Sequence, residues 1–392
     1  MKSILQMRKT KIILLILYLT VSQRINCQNT KNLTTFDINE QLKVVDIKLS
    51  ELGFNDIEIL PLETSEKNPL QRINGVRFGK NYILIQDYTT LLKFDNDGHF
   101  KTQIGKTGRG PHEFTVLHDF DIDEKNGRIY LVSAWQHKFY VFSENGKFIK
   151  TFPCPLNTTH FRITDDGILC YSINSFANIT FSYNLIDTAG HILKSYSNKY
   201  PFRAPKGRYL VFINESIFYK YSNRLYKKEI SSDTIYSFEK QSFNPHAVIY
   251  QGKRLITPNV RSNYSPDKIA ENYFQQLNLF EFGGYIYYEF LINGNLFGMI
   301  GSGMHNRIFV INPKKGIIND LNGGPNIWPK TIKDNNTLVA WVDALQLKNH
   351  VASDEFKNSR PLYPEKKKEL EKIANNLKEI DNPVLILVRL KK

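Results

Sequence analysis

The amino-acid sequence predicts an all-β fold, a six-bladed β-propeller with a short C-terminal helix and a ring-closing C-terminal strand. The chain has 392 residues, and aromatic residues make up 13% of them, which favours strands over helices. Short turns rich in Gly, Asn and Asp recur between apolar runs. Hairpins built in this way repeat with a period of about 40–50 residues, which is typical of propeller blades.

Residues 1–27 have the pattern of a signal peptide. Basic residues precede the apolar run IILLILYLTV (12–21), which is too short to cross a membrane comfortably. Two alternatives stay open for its end: cleavage after Cys27, or lipidation of Cys27 as the first residue of a lipoprotein. Both predict export to the periplasm or cell envelope, and the second adds a lipid anchor in the membrane.

The chain after this segment is predicted to have a flexible leader, 28–40, and then a single propeller domain, 41–392. The leader is polar, with several Asn, Thr and Lys residues. The first clear strand of the domain is IEILPLET (57–64). Pro61 predicts an edge position for this strand, because proline has no N–H to donate to a neighbouring strand.

Two later segments, 81–104 and 128–152, align with each other at one fixed offset. Each contains an apolar strand, a polar turn, a second strand and then an Asp-Gly or Asn-Gly turn. Gly98 matches Gly146 in these turns, and glycine supplies the positive φ angle that tight hairpins need. Further units are assigned to 165–196, 215–241, 277–301 and, for the sixth blade, 307–321 with 336–344.

The C-terminal region predicts a helix at about 364–380 and a closing strand at 384–390. Leu370, Ile373 and Leu377 fall at helical spacing, with charged residues on the opposite face. VLILVRL follows an Asn-Pro pair and is apolar enough for a buried strand. Such a strand can complete a blade begun by N-terminal strands, which hides the sheet edges.

The formal net charge of +14 is partly due to the basic leader, and the rest of the excess is scattered. We interpret it as a solvated surface with weak support for an anionic partner. No nucleic-acid-binding signature is present. The predicted partners are a small molecule, a glycan or an envelope protein, with membrane contact only through the lipid anchor.

Cys154 and Cys170 are the cysteines left after the leader. In an oxidising compartment they could form a disulfide. The alternative, which we favour, is that they are two small buried apolar residues.

Several stretches across the mature chain occur in the order found in one bacterial family. They are IEILPLET (57–64), G-x-x-GRGPHEF (105–114), FDIDEKNGRIYL (120–131), SDTIYSF (232–238), NDLNGGPNIWP (319–329) and DNPVLILVRLK (381–391). The chain resembles the bacterial exported six-bladed β-propeller family, a relative of NHL-repeat propellers, over its whole mature length. The resemblance implies the propeller fold but no reaction or ligand, because the family has no established one in common. The chain departs from the family at His112, where glycine is more frequent.

The GKTGRGP turn (105–111) contains Gly-Lys-Thr but is not a phosphate loop, because Phe100 stands where that motif needs its first glycine. We interpret it as a connector between blades, shaped by glycine and proline. Arg109, His112 and Glu113 are candidates to face the central channel and bind a ligand.

Three tryptophans, Trp135, Trp328 and Trp341, are candidates to stack on sugar rings at a propeller mouth. Trp328 joins the candidate ligand-binding residues. The alternative is that each tryptophan packs between blades. The loop histidines are further candidates for a convergent site: His112, His118, His137 and His305.

Asp119, Asp121 and Asp123 alternate along the chain, so a strand would place them on one face. Three carboxylates on one face are a candidate metal site, with calcium as the candidate cofactor. The alternative, which we favour, is a solvated face or hydrogen bonds to loop amides. DNDG (95–98) lacks the later ligands of a calcium loop and predicts a hairpin turn.

Two function hypotheses follow from these patterns. The first is an exported, non-catalytic module that binds a ligand or a protein in the cell envelope, because the sequence has no complete catalytic motif. The second is a propeller enzyme, either a metal-dependent lactonase or hydrolase or a carbohydrate-active lyase, with its site at the central channel. The second requires acidic and His or Asn side chains from several blades to converge, and fold class alone does not decide between the two.

Overall fold

The computed structural model describes residues 33–39, 44–66, 69–88, 90–204, 210–212, 214–304 and 307–391. Within them the chain forms six β-sheets of four or five strands, and each sheet is one blade of a ring. In each blade the strands that follow one another in the chain pair antiparallel. The predicted six-bladed β-propeller is therefore confirmed.

The strands of the first three blades follow three N-terminal strands, β1 (Thr34–Asp37), β2 (Val44–Val45) and β3 (Phe54–Pro61). Blade 1 consists of β4 (Gly75–Phe78), β5 (Tyr82–Asp87), β6 (Thr90–Asp95) and β7 (Phe100–Gln103). Blade 2 consists of β8 (Asp119–Asp123), β9 (Arg128–Ser133), β10 (Lys138–Ser143) and β11 (Phe148–Pro153). Blade 3 consists of β12 (Thr158–Thr164), β13 (Gly167–Ser172), β14 (Phe181–Ile186) and β15 (Ile192–Ser197).

Each of the last three blades combines strands from the second half of the chain with one N-terminal strand. Blade 4 contains β16 (Ser216–Tyr221), β17 (Arg224–Glu229), β18 (Thr234–Glu239) and β19 (Ser242–Tyr250), with β1 on its outside. Blade 5 contains β20 (Gln275–Phe282), β21 (Tyr285–Ile292), β22 (Asn295–Ser302) and β23 (Arg307–Ile311), with β2 on its outside. Blade 6 contains β24 (Thr331–Asp334), β25 (Thr337–Val342) and β26 (Val384–Leu390), with β3 outermost.

Blade 6 closes the ring. Strand β26 lies between β25 and β3, with Val384 opposite Pro61 and Val388 opposite Ile57. The observed bounds of β26 are those predicted for the closing strand, and β3 has the edge position that Pro61 predicts. Pairing strands from the two ends of the chain in one sheet leaves the ring without a gap.

The first two strands of the chain, β1 and β2, lie on the outside of the ring. Strand β1 pairs parallel with β19, Thr34 lying opposite Ala247, and β2 pairs parallel with β23, Val44 lying opposite Val310. Because β1 belongs to a sheet, the predicted flexible leader at 28–40 is wrong for Thr34–Asp37. The predicted signal peptide at 1–27 lies outside the described residues.

The hydrophobic core is divided among the interfaces between neighbouring blades. On β5, Ile83 and Ile85 pack toward blade 6, whereas Tyr82 and Leu84 pack toward blade 2. Successive residues of a strand point to opposite faces, so a middle strand of a blade needs an apolar residue at nearly every position. This explains why such strands occur in the sequence as continuous apolar runs.

The helices lie in the connections between strands. They are α1 (Pro258–Asn263), α2 (Pro266–Asn272), α3 (Ala344–Ala352), α4 (Asp354–Asn358) and α5 (Pro364–Asn376). Helix α5 is the one predicted at 364–380, and it ends early because Leu377 is extended. The Lys348 ammonium of α3 donates to the carbonyls of Ala374 and Leu377 at this end. No helix in the described part of the chain has both the length and the apolar character to cross a membrane.

The predicted sixth unit was wrong in its first part. Residues 307–311 form β23, which pairs with β22 and so completes blade 5. Blade 6 begins instead at β24, a strand of four residues that carries Lys333 and Asp334 and has little apolar pattern. The assignment of 336–344 to blade 6 agrees with β25.

Candidate functional site

A cavity of about 2570 Å³ runs through the centre of the ring. Its lining includes residues of the innermost strand of every blade, namely β4, β8, β12, β16, β20 and β24. Side chains that are distant in sequence therefore meet in one space. The cavity is larger than the roughly 300–1,000 Å³ of a usual small-molecule pocket, so an extended ligand fits in it.

Five charged side chains from four consecutive blades form a network in this channel, the charge cluster: Arg77 on β4, Asp119 and Asp121 on β8, Arg162 on β12 and Lys220 on β16. Arg77 Nη2 donates to Asp119 Oδ1 at 2.7 Å, and Arg162 Nη1 donates to Asp119 Oδ2 at 2.6 Å. Lys220 Nζ donates to Asp121 Oδ2 at 3.1 Å. The charge cluster thus links blades 1 to 4.

Strand β8 directs both aspartates of the charge cluster toward blade 3, because residues two apart in a strand share a face. Asp119 Oδ2 accepts the backbone N–H of Phe161 at 3.1 Å, and Asp121 Oδ2 accepts that of Ile163 at 2.8 Å. Strand β12 is the innermost strand of its sheet, so its channel side has no partner strand. The two carboxylates accept the hydrogen bonds that a further strand would accept.

The charge cluster carries one surplus positive charge. Burial alone would raise the pKa of Asp119, but the charges of Arg162 and Arg77 outweigh it and lower this pKa to about 2. The pKa of Asp121 is also lowered, against burial, by Lys220 and the two arginines. Both carboxylates are therefore ionised at neutral pH beside three cations. The Lys220 side chain is 46% exposed and that of Arg77 is 24% exposed, so positive charge reaches the open channel.

Two histidines that adjoin the charge cluster add no charge at neutral pH. Burial lowers the pKa of His160 to about 4, although Asp119 acts in the opposite direction. Burial also lowers the pKa of His118. The charge that a ligand meets in this part of the channel is therefore set by arginine, lysine and aspartate.

The three aspartates predicted as a calcium site have different partners. Asp119 and Asp121 bind cationic side chains and backbone N–H groups, whereas Asp123 accepts the Asn126 side-chain amide at 2.8 Å. A calcium ion would compete with arginine and lysine for the same oxygens. Asp119 and Asp121 are buried rather than on a solvated face, and the next-blade amides that they bind belong to strand β12 rather than to a loop. Calcium at Asp119, Asp121 and Asp123 stays a prediction.

Among the described residues, one group brings enough ligand atoms together for a metal ion: Asp95, Asp97 and His99. It lies in the turn between β6 and β7, where Asp95 accepts the backbone N–H groups of Asp97 and His99. The turn between β14 and β15 repeats this pattern, with Asp187 bonded to the backbone and ring of His191. The two turns share the sequence D-x-x-G-H, so this group holds a hairpin in shape, as predicted for 95–98.

The GKTGRGP turn lies over blade 2. His112 stacks on Phe148 of β11 with ring centroids 4.0 Å apart, and Glu113 accepts the backbone N–H of Gly110 at 2.9 Å. Arg109 is exposed. No residue of this turn is among the described residues that line the cavity. A ligand role for Arg109, His112 and Glu113 stays a prediction, and the connector interpretation agrees with their contacts.

Trp328 also lies apart from the lining of the cavity. It packs against the largest hydrophobic cluster, close to Gly298 and Gly316. Its ligand role stays a prediction, whereas Trp341 lines the cavity and Trp135 is 73% exposed. Residue 305 lies outside the described part of the chain.

Cys154 and Cys170 are free thiols buried between blades 2 and 3. Burial raises the pKa of the Cys154 thiol to about 11 and that of Cys170 well above its usual value. Both behave as small apolar residues, as we expected. Cys27 lies outside the described residues, so its lipidation stays a prediction.

The cations of the charge cluster are the residues that the sequence patterns missed. Arg77 and Asp119 lie 42 residues apart, and Asp119 and Arg162 lie 43 apart, so they hold similar places in successive repeats. Aligning the innermost strands, rather than the hairpins that follow, would have shown this column of charges. Lys220 pairs with Asp121 across 99 residues and past blade 3, for which no sequence signal exists.

A family model described as a domain of unknown function, DUF4934, matches residues 33–389. No curated protein matches the chain.

Two solved structures with a similar fold come from Bacteroides. A Bacteroides fragilis protein inferred to be exported is 19% identical, with a TM-score of 0.72, and the alignment covers 91% of this chain and 99% of that one. A member of the DUF4221 family from Bacteroides vulgatus is 11% identical, with a TM-score of 0.51, and the alignment covers 86% and 97% of the two chains. At these identities the similarity establishes the fold alone.

Proposed function

The chain belongs to the family described as a domain of unknown function, DUF4934, and we propose that it is an exported cell-envelope propeller that binds an anionic ligand in its central channel. Export is supported by the signal-peptide pattern at 1–27. The Bacteroides fragilis protein of similar fold, itself inferred to be exported, agrees with this location.

The observation that carries the proposal is the charge cluster. Three cations face two carboxylates, and both carboxylates already have their hydrogen bonds from arginine, lysine and backbone N–H groups. The surplus is local to the charge cluster, because the described residues that line the whole cavity include nine lysines or arginines and ten aspartates or glutamates. It lies in a recess, where water screens charge less than at an open surface. Arg77 already binds the carbonyl of Phe120 through Nε and Asp119 through Nη2. The exposed ammonium of Lys220 therefore contributes most to the binding of an incoming anion, and an anion is the complementary ligand.

Substitution of Lys220 tests this proposal. Citrate and inorganic phosphate should each raise the melting temperature of the mature protein, because a ligand that binds the folded state stabilises it. The Lys220→Ala variant loses one charge-assisted hydrogen bond, worth about 1.5–3 kcal/mol, so citrate affinity should fall about tenfold or more. Titration calorimetry at low salt measures the affinity.

The matched control is Lys147→Ala, since Lys147 is an exposed lysine in the turn between β10 and β11 and does not line the cavity. This variant should bind citrate as the wild type does. Binding should also weaken with rising salt, because part of it is electrostatic. The proposal is wrong if neither anion binds, or if Lys220→Ala and Lys147→Ala have the same citrate affinity.

A further inference from the structure

The ligand class can be narrowed by exposed aromatic side chains at one mouth of the channel. The turns between the second and third strands of blades 1 and 2 lie on the same face of the ring and carry Tyr88 and Trp135. Tyr88 is 69% exposed and lines the cavity, and Trp135 is 73% exposed. Large aromatic rings usually bury most of their surface, so two exposed rings at one mouth mark an interaction site.

The backbone around Trp135 is fixed even though its ring is exposed. Trp135 lies in a short 3-10 turn, Ala134–Gln136, that ends at His137 in the left-handed conformation with φ 52°. The side chain of Gln136 accepts the backbone N–H of Thr115 at 2.9 Å and donates to the carbonyl of Glu113 at 3.3 Å. A ligand that stacks on Trp135 therefore meets a turn that is already ordered, which reduces the entropy cost of binding.

His118 connects this aromatic ring to the charge cluster. Its ring packs edge-on against the Trp135 indole with centroids 5.9 Å apart, and its Nδ1 accepts the backbone N–H of Ala134 at 3.2 Å. His118 lines the cavity and precedes Asp119, which binds Arg77. Trp135 does not itself line the cavity, and His118 is the residue that joins its exposed ring to the lining beside the cations.

We propose that the channel ligand is an acidic saccharide, an inference that rests on the proposed anion binding. Its carboxylate binds Arg77 and Lys220, the two more exposed cations of the charge cluster, and a sugar ring stacks on Trp135 at the mouth. A uronic acid unit combines a carboxylate with an apolar face of C–H groups, and the cations and the Trp135 ring match these two groups. The cavity is large enough for several linked sugar units. The side-chain amides of Asn74 and Gln86 line it and bind the hydroxyl groups of these units.

The test compares three kinds of probe on the mature wild-type protein. They are acidic trisaccharides built from galacturonate, guluronate or glucuronate; a neutral trisaccharide without carboxylates; and citrate, which has carboxylates but no sugar ring. At least one acidic trisaccharide should bind ten times more tightly than citrate, and the neutral trisaccharide should bind more weakly than either. Titration calorimetry gives the affinities, and quenching of tryptophan fluorescence reports stacking.

Trp135→Ala should weaken binding of the acidic trisaccharide about tenfold and leave citrate binding unchanged, whereas Trp135→Phe should retain most of the affinity. The matched control is Tyr250→Ala, which removes an aromatic ring that is 43% exposed on the outer part of blade 4. Melting temperatures of the variants verify that each is folded.

The failures of the two proposals are distinguishable. If citrate binds but no acidic trisaccharide binds more tightly, or if Trp135→Ala has no effect, the saccharide inference is overturned and anion binding stands. Equal binding of neutral and acidic trisaccharides also overturns it, because the charge would then play no part. If no anion of any kind binds, both proposals are wrong.

Discussion

At the scale of single residues, the carboxylate of Asp119 is the centre of the charge cluster. It accepts hydrogen bonds from Arg77, Arg162 and the backbone of Phe161. The side chains of Asp119 and Arg162 are each only 8% exposed, so neither has much water to solvate its charge. A buried charge of this kind is stable only when it is paired with an opposite charge.

Replacing Asp119 with asparagine should therefore destabilise the protein. The variant leaves Arg162 buried without its counter-charge, and breaking a buried pair in this way costs about 3–5 kcal/mol. Urea unfolding at neutral pH measures the change in the free energy of unfolding. Asp97→Asn, a change at an exposed aspartate of a hairpin turn, is the control and should cost much less. Equal losses in the two variants would show that the buried pair contributes little.

The lowered pKa of Asp119 predicts that the folded protein loses stability in acid. This pKa is about 2 in the folded protein and near 3.8 in an unfolded chain, so below about pH 4 the unfolded chain binds protons more readily. The contribution of Asp119 is complete above about pH 5 and is lost as the pH falls through about 2, by about 2–3 kcal/mol. Unfolding at pH 5 and pH 2.5 should show a smaller loss in Asp119→Asn than in the wild type. A loss of the same size in both proteins contradicts the pairing.

The sequence predicted the site in part. The alternation of Asp119 and Asp121 correctly placed both on one face of a strand. Their cationic partners could not be predicted, because each comes from a different blade and only the ring brings them together. The buried lysines Lys227 and Lys228 were missed for a similar reason: KKE resembles a solvated run, yet β17 is a middle strand with both faces covered.

At the scale of elements, the hairpin turn between the third and fourth strands of a blade joins that blade to the one before it. In blade 3, Gly190 has φ 93°. A Cβ at this position would lie 2.5 Å from the carbonyl oxygen of Pro153, at the end of β11 in blade 2. Two separate constraints therefore require glycine at position 190: the positive φ angle of the backbone and the close approach of blades 2 and 3.

These two requirements can be separated by comparing Gly190→Ala with Gly294→Ala. Gly294 also has a positive φ, 69°, but no atom of the described residues lies within 4 Å of the place that a Cβ would take. Gly294→Ala should cost about 1 kcal/mol through the left-handed backbone alone. Gly190→Ala should cost a further 1–3 kcal/mol or so, because the methyl group forces the blades apart. Urea unfolding of both variants measures the difference, and equal costs would show that the blades yield easily.

The elements were predicted best where the repeat is regular. The matched glycines Gly98 and Gly146 do occupy equivalent turns. Helices α1 and α2 were missed because each is only two turns long and has little apolar periodicity. A signal was present, since Thr257-Pro258 and Ser265-Pro266 supply a capping oxygen followed by proline at the first helical position.

At the scale of the whole molecule, β26 is the strand on which closure of the ring depends. Leu387 lies fully buried on it and packs in the cluster between blades 6 and 1. Leu387→Ala should cost about 2–5 kcal/mol of unfolding free energy. The control is Ile380→Ala, which truncates a side chain that is 86% exposed just before the strand. Circular dichroism during urea unfolding tests this, and a Leu387→Ala variant as stable as the control would show that closure adds little.

The strands outside the ring also set an order of events during folding. The N-terminal strands pair with residues from the second half of the chain: Thr34 lies opposite Ala247, Val44 opposite Val310 and Ile57 opposite Val388. A chain emerging N-terminus first has none of these partners when β1, β2 and β3 appear. Blades 1, 2 and 3 can form from local hairpins, but the N-terminal strands stay unpaired until the second half of the chain has emerged. Closing such long loops is slow. We therefore expect the docking of β1, β2 and β3 onto blades 4, 5 and 6 to be the last event of folding.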